Sequence, residues 1–266
     1  MAQLFSLGGI ERVYFMIPIK IQCGCGQKYA FDVEPVNGRM SSAVACPVCG
    51  ADGTAAADAV IAQTLTEQLA LEWDDQKSKL MEAILGCEHY IVMHAIIPYA
   101  AGGGLDLYYY PHSIPGTAIA TKELSGLRDQ GSSNRVFSCY ELAMFTRHPL
   151  NMEHANDDAT PFGRAHSNIK RILNRIAPYS ASATLNPNET CEFPAEMKHV
   201  GGKCLIFDAY GLTSSEQPRS FGVLAVIEIH RSEMDFARLA GGSELIQRLK
   251  AAGHYPYSDL DRDPVA

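Results

Sequence analysis

The sequence predicts an α+β protein in which a mixed sheet is flanked by helices and preceded by a small four-cysteine module. Phe221 to Ile229 is apolar on both alternating sets of positions until Glu228, the pattern of a central strand covered on both faces. Before and after it, segments of helical period alternate with strand-like runs. Near the start, Cys23-Gly24-Cys25 and Cys46-Pro47-Val48-Cys49 stand as two close pairs of thiols.

The bulk properties bound the rest. A chain of 266 residues that is 47% apolar can bury a sizeable core. A net charge of −8 argues against broad binding to a phosphate backbone. No apolar run is long enough to span a bilayer, and Met1 to Ile19 lacks the basic start and small-residue cleavage site of a secretory signal, so no membrane partner and a cytoplasmic location are expected. Of eight cysteines, four are paired closely and four lie singly among apolar residues, which fits reduced cysteine better than disulfides. Met16 begins a segment that reads as a natural start, leaving residues 1–15 as a dispensable extension.

The cysteine pairs carry the strongest local signal. Thiolates on two tight, glycine-bearing turns can converge on a tetrahedral ion, and the twenty residues between Cys25 and Cys46 suffice for a hairpin that joins the turns. Cys23, Cys25, Cys46 and Cys49 are therefore the expected ligands of a structural Zn2+. The first pair has one intervening residue where two are commoner. Tyr29-Ala30-Phe31 and Ala43-Val44-Ala45 are the expected strands, and Glu34 to Gly38 the turn between them. A module this small cannot fold on apolar burial alone, and metal binding supplies about 10 kcal/mol or more in isolated fingers. Four protein ligands leave no open position for catalysis. From Met16 to Val60, three basic side chains face four acidic ones, a poor surface for nucleic acid. Contact with nucleic acid through the ribbon is the lesser alternative to a protein-docking or fold-capping role.

Ala55 to Leu85 reads as a helix with a strongly charged, solvated stretch at Glu72 to Lys79, a linker between ribbon and main body. Strands follow at Tyr90 to Ile97, Leu105 to Tyr110 and Thr117 to Thr121, with Gly102-Gly103-Gly104 as a hairpin turn rather than a phosphate cradle. Arg135 to Phe145 is a further strand, whose Cys139 reads as a buried thiol. His148, Glu153, His154, Asp157 and Asp158 form the one other stretch that invites a metal-dependent or hydrolytic reading, although their spacing is that of a polar loop. Pro161 to Ile176 is a helix ended by Pro178, with Ile169, Ile172, Leu173 and Ile176 inward. Its outward Arg164, Lys170, Arg171 and Arg175 make the one local positive patch on an acidic chain and suit an acidic partner. Lys203 to Tyr210 is the strand beside Val223 to Ile229, with Gly211 to Arg219 a mobile loop. Ser232, with Asp235 three residues on, caps one helix; Gly241-Gly242 stops it, Ser243 caps the next, and Gly253 marks its exit.

Several short runs resemble suppressor-of-fused-like domains. These are the apolar strand before Ser232-Glu233, Leu245 to Leu249, and the closing Tyr257-Ser258-Asp259-Leu260-Asp261-Arg262. Upstream, His94, Leu105-Asp106-Leu107-Tyr108 leading to Pro111, Ala118-Ile119-Ala120-Thr121, and Tyr140-Glu141-Leu142 follow the family's order. Glu123-Leu124-Ser125 stands where the family usually has glycine-methionine-serine. The resemblance covers about residues 86 to 263 and leaves the ribbon and linker outside it, so the expected division is 1–54 zinc ribbon, 55–85 helical linker and 86–266 suppressor of fused-like domain. It implies non-catalytic protein binding: eukaryotic members are inhibitory binders of a transcription factor, and bacterial members look like immunity proteins that neutralise toxin partners. The residues themselves present no nucleophile with its base and no cofactor loop. A hydrolase or metal-dependent enzyme using the His148 to Asp158 loop is the alternative from another class.

Overall fold

In this computed structural model the described residues are 16–112, 114–128, 130–212 and 219–266. The expectation for residues 1–15 and most of that for the loop after Gly211 fall outside them. The chain divides into two compact units, one ending at Glu72 and the other running from Trp73 to Ala266.

In the first unit, β1 (Ile17–Gln22) pairs antiparallel with β2 (Lys28–Val33), Ile17 opposite Val33 and Gln22 opposite Lys28. The expected strand at Tyr29 to Phe31 lies inside β2, whereas Ala43 to Ala45 contributes only a bridge between Ala45 and Asp52. β1 itself is the strand the cysteine-centred reading passes over. Its Ile17 and Ile19 alternate with exposed residues and bury with Val33, Ala57 and Ile61. The long helix α1 (Thr54–Leu85) starts where Asp52 Oδ1 accepts bonds from the Thr54 hydroxyl at 2.6 Å and the Thr54 amide at 2.8 Å. These two bonds, the hydroxyl's first, hold the Asp52 carboxyl below its ordinary range.

The second unit is a seven-stranded mixed sheet. It contains β3 (Val92–Met93), β4 (Leu107–Tyr110), β5 (Thr117–Ala120), β6 (Phe137–Thr146), β7 (Thr190–Glu192), β8 (Cys204–Tyr210) and β9 (Arg219–Ile229). Their order is β3-β4-β5-β6-β9-β8-β7, with β6 and β9 parallel and the other pairs antiparallel. β9 is thus an inner strand buried on both faces, and β8 lies beside it with Cys204 opposite Ile229 and Tyr210 opposite Val223.

One face is covered by α2 (Pro161–Ser180) through Ile169, Ile172, Leu173 and Ile176. The other is covered by Trp73, Met81 and Leu85 of α1, by α3 (Arg231–Ala240) through Met234 and Ala237, and by α4 (Gly242–Ala251) through Leu245, Ile246 and Leu249. Burial of this much branched aliphatic surface, at about 25 cal/mol per Å² of apolar area, is the main source of stability here. Among the described residues, no helix is long and apolar enough to cross a membrane.

Four local expectations are corrected. The charged stretch after Glu72 is not wholly solvated: Trp73 and Lys77 within it are buried, and Lys77 sits 3.8 Å from the buried Glu141. The strand expected over Tyr90 to Ile97 shrinks to two residues because Asp106 Oδ1 takes the Ala95 amide at 2.8 Å and its other oxygen meets His94 Nδ1 at 2.6 Å, turning the chain out of the ladder. Pro178 does not end α2, which runs on to Ser180; in the last turn a proline deletes one backbone bond at little cost. The cap of α3 is His230 rather than Ser232, because β9 extends to Ile229 and the helix begins at once, so Glu233 instead of Asp235 reaches back to the capping amide at 2.8 Å.

Candidate metal centre

Two short turns in the first unit carry the four cysteines. In one, the Cys23 amide bonds Gln27 O at 2.8 Å and the Gly26 amide bonds Cys23 O at 2.8 Å. In the other, the Cys46 amide bonds Ala51 O at 2.8 Å and the Gly50 amide bonds Cys46 O at 2.9 Å. The turns match in design. Each pair ends in a glycine at positive φ, +91° at Gly26 and +72° at Gly50, a conformation that a side chain would strain.

The four sulfurs converge. Cys23 Sγ lies 3.5 Å from Cys49 Sγ, Cys25 Sγ lies 3.8 Å from Cys46 Sγ, and all four fall within 4.8 Å of one another. None is in a disulfide. Sulfurs placed about 2.3 Å from a shared tetrahedral ion are about 3.8 Å apart, so the cluster has the dimensions of a four-thiolate metal site. Backbone amides of Cys49 and Val48 point at Cys46 Sγ and pull its thiol down to about 6, which favours the thiolate a metal requires. The Tyr29 hydroxyl, buried and without a hydrogen-bond partner among the described residues, is raised first by burial and then by the negative charge of Cys46, Cys23 and Cys49, and so lies within electrostatic reach of the sulfurs. These residues fit a metal ion, which four thiolates would hold with every coordination position filled.

Among the described residues this is the one group of three or more cysteine, histidine or carboxylate side chains gathered at metal-binding distance. The stretch from His148 to Asp158 instead forms a 3-10 turn at Met152–His154 and the entry to α2. His154 Nδ1 and Asp157 Oδ2 stand 3.8 Å apart, both half exposed, while Asp158 meets Arg171 at 3.8 Å. Thr160 Oγ1 accepts the Gly163 amide at 3.1 Å and completes the cap.

In the second unit, deeply placed carboxylates are held by fixed partners. Glu141, fully buried on β6, accepts from Thr121 Oγ1 at 2.7 Å, Ser125 Oγ at 2.8 Å, and the amides of Ser125 and Leu124 at 3.1 and 3.2 Å. Glu228 on β9 receives Lys203 Nζ at 2.6 Å. The glutamate foreseen in the acidic strand at Tyr140-Glu141-Leu142 therefore ties down the Thr121 to Ser125 loop. The ligands of Glu141 could not be read from the sequence, because they come from another connection of the sheet.

The molecule is thus a four-thiolate ribbon module joined in one chain to a mixed-sheet unit with helices on both faces. No protein-family model matches it, and no curated protein does. Among solved structures it is similar to one described as the Sufu-Fu complex crystal structure, at 13% identity, covering 74% of this chain and 92% of that one with a TM-score of 0.45. It is also similar to the crystal structure of Drosophila Suppressor of Fused, at 13% identity and a TM-score of 0.42, covering 68% of this chain and 47% of that one, about half its length.

Proposed function

We propose that the chain is a non-catalytic protein-binding module that carries a structural zinc in its ribbon and works in the cytoplasm. The observation that carries the binding role is an exposed apolar border beside the edge strand β3. Ile96, Ile97 and Tyr90 are 102%, 57% and 88% exposed, and they flank the two-residue strand that ends the sheet. Large apolar side chains left in water beside a sheet edge suit a protein surface that covers them. The motif order shared with suppressor-of-fused-like domains supports the same role. In its most specific form the partner is a toxin and the chain its immunity protein.

The test uses the full chain as bait, with Ile96→Asp/Ile97→Asp beside it. The reading expects one protein enriched at least tenfold by the native chain and lost with the double variant, whose thermal unfolding is unchanged. Equal recovery of every protein by both baits would overturn it. Co-expression protecting cells from that partner supports the immunity role; an innocuous partner removes it.

A further inference from the structure

Helix α2 turns two different faces to its surroundings. Ile169, Ile172, Leu173 and Ile176 bury against the sheet, while Lys170, Arg171 and Arg175 stand exposed on the far side. The tertiary fold adds what the sequence does not show. The turn at 198–200 brings Lys198 to the same place, and the four cations line a cavity of about 560 Å³ with Asp158 as the one carboxylate in its wall among the described residues. Four positive charges against one negative converge here on a chain whose net charge is −8.

The cavity has a fixed floor. His166, 1% exposed, bonds Ala155 O through Nδ1 at 2.7 Å, so Nδ1 carries the proton and Nε2 accepts the Tyr109 hydroxyl at 2.9 Å. Those two bonds anchor α2 to β4 and to the loop that forms the opposite wall. Asn174 accepts the Leu105 amide at 2.9 Å and donates to Lys170 O at 2.9 Å, which fixes the helix at the cavity's third side. Of the cations, Arg171 meets Asp158 at 3.8 Å and Lys170 touches Met93 Sδ at 3.5 Å. Arg175 and Lys198 have no ion pair among the described residues, and Ser167, also in the wall, forms no side-chain hydrogen bond there. Like charges gathered without counter-charges repel, and an anion in their midst relieves that repulsion. Small-molecule sites have cavity volumes of roughly 300–1,000 Å³, which this one matches.

We propose that this cavity binds a small polyanion carrying at least two phosphoryl or carboxylate groups, with Arg171 and Arg175 from one wall and Lys198 from another closing on it. Guanidinium groups pair such oxygens in two-pronged fashion, and a concave site holds a compact anion better than an extended chain. The cavity adjoins the apolar border, since Gly103 in its wall bonds Pro98 O and Lys170 touches Met93, but its cations are different residues from Ile96, Ile97 and Tyr90, so the variants that test one assignment leave the side chains of the other in place.

The probe is pyrophosphate, titrated by calorimetry into the full chain at two salt concentrations, with citrate as the carboxylate counterpart. Saturable one-to-one binding that weakens with salt is expected, together with a loss of at least tenfold in Arg175→Ala/Lys198→Ala and no loss in Arg248→Ala/Lys250→Ala. Pyrophosphate alone binding marks a phosphoryl ligand, and citrate binding equally well marks a general polyanion site. No saturation, equal loss in both double variants, or tighter binding of a hexaglutamate peptide than of either small anion would overturn the proposal.

Discussion

Arg262 and Glu233, 29 residues apart in sequence, form a buried two-pronged ion pair, Nη1 to Oε1 at 2.6 Å and Nη2 to Oε2 at 2.8 Å. The same carboxylate accepts the amides of His230 and Val265 at 2.8 and 2.9 Å. One side chain therefore caps α3, fastens the C-terminal tail and neutralises an arginine that has almost no exposed surface.

Removing one partner of such a pair leaves the other charged and dry, which costs roughly 3–5 kcal/mol. Arg262→Ala is accordingly expected to lower the free energy of unfolding by about 3 kcal/mol or more in urea titrations. Burial by itself pushes the Glu233 carboxyl up, but Arg262 and the two amides together outweigh it and hold the group below its ordinary range. The folded state thus resists protonation that the unfolded state accepts. This contribution is complete above about pH 4.5 and is lost as the pH falls through the folded value. Glu233→Gln should flatten that part of the acid-unfolding curve; an unchanged slope would show that the pair does not set it.

Glu141 presents a similar case without exposed surface at all. Glu141→Ala removes the acceptor for two hydroxyls and two amides and leaves the Lys77 ammonium without its nearest buried carboxylate. Each buried donor left unmade costs about 1–3 kcal/mol, so a loss of at least about 3 kcal/mol is expected. Hydrogen exchange at Leu124 and Ser125 should rise well before that of β9. Exchange that rises evenly throughout the sheet would mean the glutamate does not hold the loop.

His166 sets a second pH window. Burial lowers its pKa, opposed in part by the bond to Ala155 O. Below about pH 6.5 the unfolded chain takes up a proton here that the folded chain does not, so stability falls as the pH drops from that value toward the folded pKa. His166→Gln can keep both hydrogen bonds and cannot titrate. Its stability should depend less on pH between 7.5 and 5.5 than that of the native chain, and an identical dependence would rule out this histidine as the source.

Features set by neighbours in sequence were legible, and those set by distant residues were not. The apolar run from Phe221 to Ile227 announced an inner strand, and the close spacing of Cys23 with Cys25 and of Cys46 with Cys49 announced converging sulfurs. Ser232 was misplaced as a cap because the frames ending at Glu233 and at Asp235 overlap, and what separates them is Arg262, far downstream. β7 and β3 are too short to show a period. The basic face of α2 was visible from helical spacing, yet its completion by Lys198 depends on a turn that only the folded chain brings near.

The central claim is that four cysteine sulfurs close around one structural metal, and the most direct measurement is the metal content of the purified full chain by native mass spectrometry. The account predicts one zinc per chain, lost in Cys46→Ser together with the ordered signals of β1 and β2. A native chain that stays folded in its ribbon with no metal bound, or a Cys46→Ser chain that keeps its zinc and its ribbon, would contradict it.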